Sequence, residues 1–161
     1  MHDTDVRLLR ESIALARRSR ENGNHPFGAV LADAQGNILL RAENTVVTSA
    51  DCTGHAELNL IQAAVKDLSP EALSRCSIYA STEPCPMCAG AIFWANVSRV
   101  VYGLSEDGLY ALTGDTPHKL LLSCRDLFSR GARPVEVVGP LLESEARQPH
   151  EGFWGRAAGA L

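Results

Sequence analysis

The sequence predicts an α/β protein whose core is a mixed sheet with helices on both faces. Apolar residues recur at helical spacing in some segments and as short, apolar, strand-like runs in others. Two strand-like runs flank the turn "DAQGN" and read as an antiparallel hairpin. Beyond the hairpin, helical and strand-like segments alternate, the order of a sheet with parallel neighbours.

The first helix runs from about Thr4 to Glu21. Val6, Leu9, Ile13 and Ala16 form its apolar stripe, Arg7, Arg10, Arg17 and Arg18 lie mostly off it, and Gly23 ends it. "FGAVLADAQGNILLRAEN" supplies the hairpin, and a polar loop follows from Asn44 to Thr53. A second helix is expected from about Gly54 to Lys66, with Ala56, Leu60, Ala63 and Ala64 at helical spacing. "LSPEALSRC" reads as a connector, and "SIYAST" as a short strand stopped by Pro84. The third helix, about Pro86 to Ala95, is apolar almost all round and is expected to be buried. "SRVVYGL" is a strand, Leu104 to Pro117 an irregular Gly-rich loop, and "HKLLLSCRDLFSR" a helix closed by Gly131. "PVEVVG" is a last short strand, and the tail from Leu141 is expected to be helical in part.

At 161 residues, the chain is expected to form one domain, 1–161, with a C-terminal tail from about 141. Its 45% hydrophobic and 21% charged residues are those of a globular protein. Five cysteines, an odd number without disulfide-framework spacing, point to a reducing compartment, the cytoplasm. The charged start "MHDTDVRLLRES" lacks a signal-peptide core, and no run approaches the roughly 20 apolar residues of a membrane span. A net charge of −4 leans away from a nucleic-acid partner, because phosphate contacts want a basic surface.

The chemistry gathers around "STEPCPMCAGAIFWA". Cys85 and Cys88 open the third helix, as "HAE", His55 to Glu57, opens the second. Two helix starts converging at one end of a sheet would bring one imidazole and two thiolates together. Helix N-termini favour thiolate over thiol. Three protein ligands leave a fourth tetrahedral position for water, the pattern of a catalytic zinc. Glu57 needs no place on the metal, and beside that water it could carry protons. The competing reading is a structural zinc closed by Cys52 or a nearby histidine, which would have no need of Glu57. Read from the residues alone, Phe27 fits the core and Asn44 a turn after a strand, while His25 reads as a loop residue or a pocket lining. Asp115, in the expected loop, is a further candidate for substrate contact.

"HAE" and "PCPMC", with His55 and Cys85 30 positions apart, resemble the H-x-E…P-C-x-x-C signature of the zinc nucleobase and nucleoside deaminases. "HPFGAVL", "EN", "TGHAE" and "STEPCPMCAGAIFWA" look most like the guanine-deaminase-like branch, and are similar to tRNA adenosine deaminases and fungal-type cytosine deaminases. The resemblance implies a three-layer α/β/α sandwich around a mixed five-stranded sheet, the cytidine-deaminase-like fold, and a homodimer. It implies one zinc on His55, Cys85 and Cys88, with Glu57 as proton shuttle. It also implies that Phe27 packs on the base, Asn44 bonds to it, and the Ala56 N–H binds its carbonyl. By the same analogy, Trp154 or Phe153 in "HEGFW" would cap the pocket. One departure is "DCTG", Asp51 to Gly54, where the family often has Asp-Pro-Thr-Ala.

The expected activity is therefore zinc-dependent hydrolytic deamination of a nucleobase or nucleoside, with guanine or a related aminated heterocycle preferred. The alternatives are a tRNA-specific adenosine deaminase, a cytosine deaminase and, outside enzymes, a zinc-stabilised binding module. No membrane or nucleic-acid partner is expected.

Overall fold

A computed structural model of the chain describes residues 3–155. Helix α1 (Asp3–Glu21) leads into strands β1 (Gly28–Ala32) and β2 (Ile38–Glu43). The short helix α2 (Val46–Ser49), helix α3 (Ala56–Asp67) and the single turn α4 (Pro70–Leu73) precede strand β3 (Ser77–Thr82). Helix α5 (Pro86–Trp94), strand β4 (Arg99–Leu104), helices α6 (Glu106–Thr113) and α7 (Cys124–Ser129), and strand β5 (Glu136–Val138) follow. Helix α8 (Glu143–Arg147) and a 3₁₀ turn, Gln148–His150, form the tail.

The sheet has the order β2-β1-β3-β4-β5. Strand β1 is antiparallel to both β2 and β3, while β3, β4 and β5 run parallel. Alternation in β1 explains the two cores. Ala29 and Leu31 face one layer, with Leu60, Ile61 and Ala64 of α3, Ala89 and Ile92 of α5, and Phe128 of α7. Val30 and Ala32 face the other, with Leu8, Leu9, Ile13 and Leu15 of α1 and Ala146 of α8. The result is the predicted three-layer α/β/α sandwich on a five-stranded sheet. Leu8 and Leu9 are fully buried and Ile13 nearly so, each contributing roughly 1.5–3 kcal/mol of apolar transfer. Gly28 permits the close crossing of α1 over β1, since a Cβ there would clash with the Ser12 carbonyl and sit 2.5 Å from the Leu15 Cβ.

The polar loop from Asn44 holds the short helix α2 and the connector holds α4, and three further expectations need correction. The segment read as an irregular loop holds α6, because the Ser105 hydroxyl caps it by accepting from the Gly108 N–H at 3.1 Å. The helix expected from His118 begins only at Cys124, where Ser123 caps it. Residues 118–123 have no helix or strand, and His118, Lys119 and Leu120 line the cavity described below. Helix α5 buries Cys88, Ala89 and Ile92, yet its Trp94 is 84% exposed, so its apolar surface is not consumed within the chain.

Candidate active site

The site lies where β3 and β4 stop and two helices begin. His55 is the N-cap of α3 and Cys85 the N-cap of α5, both in extended backbone conformation. Pro86 takes the first position of α5, where a missing N–H costs nothing. His55 Nδ1 lies 3.5 Å from Cys85 Sγ and 3.6 Å from Cys88 Sγ. Among the described residues, His55, Cys85 and Cys88 form the group able to hold a metal ion, with ligand atoms all within 4.8 Å of one another. Cys52, the candidate fourth ligand of a structural site, is exposed and lies outside this group.

The charge state suits a metal. Cys85 is pulled down to about 4, first by its hydrogen bond with Cys88 and also by His55, against the cost of burial. Cys88 is driven up, first by that same hydrogen bond and then by burial. One thiolate is thus already favoured in the pair. Burial is the largest influence on His55 and pulls it down, but the Cys85 hydrogen bond and charge, with Glu57, leave it raised. An imidazole and two sulfurs are the donor set of a tetrahedral zinc with one position left open.

Glu57 is 5% exposed, and burial, followed by the charge of Cys85, pushes its acid up to about 7. It borders a cavity of about 420 Å³ together with His55, Cys85, Phe27 and Asn44. The Asn44 amide oxygen accepts from the Val46 N–H at 3.0 Å, so its NH₂ is the group left to donate. His25, buried at 2% exposure, lines the same cavity. Ala56 is fully buried at the first position of α3, where the backbone N–H has no intrahelical acceptor.

Two candidates are placed elsewhere. Asp115 does not line the cavity, although Pro117, His118, Lys119 and Leu120 do. Trp154 does not line the cavity and packs against residues that do. Its ring stacks on His150 at 6.0 Å between centroids and tilts against His25 at 5.6 Å and Phe27 at 6.1 Å. Phe153 meets His25 edge-on at 5.9 Å. The far wall, with Leu109, Tyr110 and residues 117–120, was missed by sequence reasoning, as was Glu83. The Ser105 cap, with Glu106 and Asp107 in the first turn, was the available signal for α6.

Residues 2–104 match the family model described as the cytidine and deoxycytidylate deaminase zinc-binding region. The chain is 40% identical over 157 residues to the "Probable cytosine deaminase" of Schizosaccharomyces pombe, covering 96% of this chain and 94% of that protein. It is 42% identical over 102 residues to the guanine deaminase of Bacillus subtilis, covering 63% of each. A structure solved in a study of A-to-I editing by tRNA:A34 deaminases superposes with a TM-score of 0.71 at 28% identity, over 89% of this chain and 99% of that one. The paired helix starts and the matched motif lead to one assignment: the chain belongs to the cytidine and deoxycytidylate deaminase family of zinc-dependent hydrolases, which act on C–N bonds of nucleobases and nucleosides.

Proposed function

We propose that the protein hydrolytically deaminates a free nucleobase, guanine or a related aminated heterocycle, within a single domain, 1–161. The observation that carries the reading is Glu57, a buried carboxyl beside His55 and Cys85 that opens onto a cavity of about 420 Å³. That volume lies within the roughly 300–1,000 Å³ of small-molecule sites. Zinc on His55, Cys85 and Cys88 would supply a water whose pKa falls to about 7, a nucleophile available at neutral pH. Glu57 would take one proton from the attacking water and give it to the ring nitrogen, then take a second from the hydroxyl now on the ring carbon and give it to the departing amine. Phe27 offers a flat apolar wall to the ring. The Asn44 NH₂ and the Ala56 N–H both donate, which suits a ring carrying a carbonyl oxygen or an unprotonated nitrogen.

Cytosine is the second reading, favoured by the 40% identity that extends over 96% of the chain, tail included. A tRNA substrate is the third. It is disfavoured by the net charge of −4 and by the cavity wall, where Lys119 is the lysine or arginine among the described lining residues. Ammonia release from guanine, cytosine, their nucleosides, adenosine and tRNA ranks these readings. Turnover of guanine or cytosine with none of tRNA supports the free base, and turnover of tRNA alone overturns it.

A homodimer fits the same reading. Trp94 at 84% and Met87 at 37% exposure leave an apolar surface on α5 that a second copy would cover. Sedimentation showing only monomer at micromolar concentration would remove that part. The cytoplasm suits a site that needs free thiols. No helix among the described residues is long and apolar enough to cross a membrane.

A further inference from the structure

Glu83 stands between the end of β3 and Cys85, and its carboxylate reaches two backbone donors remote from each other in the chain. One oxygen accepts from the Glu106 N–H at 2.9 Å, at the first position of α6. The other accepts from the Cys124 N–H at 3.0 Å, at the first position of α7. The chain between those two amides forms the far wall of the cavity, through Leu109, Tyr110 and residues 117–120. Its second half, 114–123, has no helix or strand of its own. A carboxylate has two oxygens that accept, and both are used to hold the two ends of this wall. The backbone of Glu83 is itself fixed, since its N–H donates to the Leu104 carbonyl at 2.8 Å.

We propose that Glu83 is a positioning residue that sets the shape of the substrate cavity, by tying both ends of segment 106–124 to the turn that carries Cys85. The inference rests on the deaminase reading of this cavity. The wall and the thiol are then in register through one side chain, so a ring held by the wall is presented to the metal side at a fixed distance. Loosening the wall removes preorganisation, which should weaken binding more than it slows the chemical step.

Two variants test this by different routes. Glu83→Gln keeps size but has one accepting oxygen, and its NH₂ meets an N–H donor. Glu106→Pro removes one donor and leaves Glu83 untouched. Proline is favoured at the first helical position, and Ser105 already holds the extended conformation, φ −69° and ψ 158°, that a residue before proline adopts. Glu106→Ala, which retains the N–H, is the control. Hydrogen exchange by mass spectrometry should speed up at least about tenfold across peptides spanning 105–124 in Glu83→Gln and Glu106→Pro, and not in the control. With zinc content and melting temperature near wild type, KM for the base should rise about tenfold while kcat falls less. Should Glu83→Gln fail to hold zinc, Glu106→Pro still decides, because it leaves the metal-bearing turn intact. Exchange in Glu106→Pro equal to that in Glu106→Ala overturns the proposal. Exchange needs no turnover, so a protein inactive on every base would defeat the functional reading while leaving the tie itself tested.

Discussion

Where β3 and β4 begin, a buried carboxylate is paired with a partly buried guanidinium; where they stop, a buried carboxyl faces a cavity. At the first end, the Arg99 guanidinium donates to both oxygens of Asp5, at 2.9 and 3.0 Å, and to Glu136 at 3.0 Å. The Tyr79 hydroxyl donates to Asp5 at 2.9 Å. Burial first, and then Asp5, pushes Tyr79 up to about 12, and the hydrogen bond to Asp5 holds Arg99 more firmly cationic. These four residues fasten α1 to β3, β4 and β5. At the other end, Glu57 is as buried as Asp5 but has no arginine against it, and its raised acid borders open space. Burial alone therefore does not mark a functional carboxyl. The role proposed for Glu57 rests on burial together with a cavity towards which a proton can travel.

The largest expected effect separates the two ends outright. Glu57→Gln should keep zinc and melting temperature and lose about 10²–10⁴ in turnover, because the amide fills the same space and cannot carry the proton. Ammonia release per bound zinc is the measurement, and near-normal turnover in a metal-replete variant would remove Glu57 from the chemistry.

The reverse experiment is Arg99→Ala. It removes the two guanidinium hydrogen bonds that Asp5, 4% exposed, accepts from Arg99, and should cost about 3 kcal/mol of stability, or roughly 6–12 °C in melting temperature. kcat/KM should stay within about twofold when measured well below the transition. A larger loss of activity than of stability would show that the two ends are coupled and that the contrast is false.

The same contrast explains what was legible in the sequence. The metal ligands sit in a local pattern, at helix starts whose caps and proline are visible in the chain, so their meeting could be foreseen. The five-stranded sheet followed from the hairpin and the alternation. The Asp5–Arg99 fastener joins residues 94 positions apart, with no motif between them, and had no sequence signal. The far wall was missed for a related reason. Leu120, Leu121 and Leu122 stand in the run read as a helix, but Leu120 and Leu121 are 61% and 76% exposed, and the helix waits for the Ser123 cap. Trp154 was read as a cover because it is aromatic and near the C-terminus. Its place was decided by a long-range arrangement, with Arg20 of α1 donating to the Pro149 and Glu151 carbonyls and drawing the tail against the body.

That placement changes the meaning of a truncation. A chain ending at Gln148 loses Trp154 and Phe153, whose rings pack against His25 and Phe27, two residues that line the cavity. It should fold and hold zinc, yet lose at least about tenfold in kcat/KM on a small base, roughly 1.4 kcal/mol, as Phe27 gains room to move. Replacing Trp154 alone by Leu should reproduce part of this loss if the tail acts as a buttress. A truncated chain that is stable and fully active would take the tail out of the site altogether.

The smallest expected effect concerns His150, which is buried at 1% exposure but neither ion-paired nor open to the cavity. The Trp154 indole N–H can only donate, and it donates to His150 Nδ1 at 3.0 Å. The ring proton is therefore on Nε2, which faces the Thr82 hydroxyl oxygen at 3.2 Å. A second proton on the ring would set N–H against N–H at Trp154. Burial first, and then the nearby Arg20, depresses His150 to about 4, whereas an unfolded histidine titrates near 6.5. Between those values the unfolded chain binds a proton that the folded chain does not. Stability thus rises with pH through this window, is fully present above about 6.5, and is lost as pH falls towards 4. Carboxylates titrate in the lower part of the same range, so the reading is a difference. His150→Gln carries no titrating ring, and its melting temperature should fall less than that of the wild type between pH 7 and 4.5. A difference that stays flat over that range would show that His150 can take its proton without leaving Trp154, and that this end of the sheet tolerates charge as well as the Asp5–Arg99 end does.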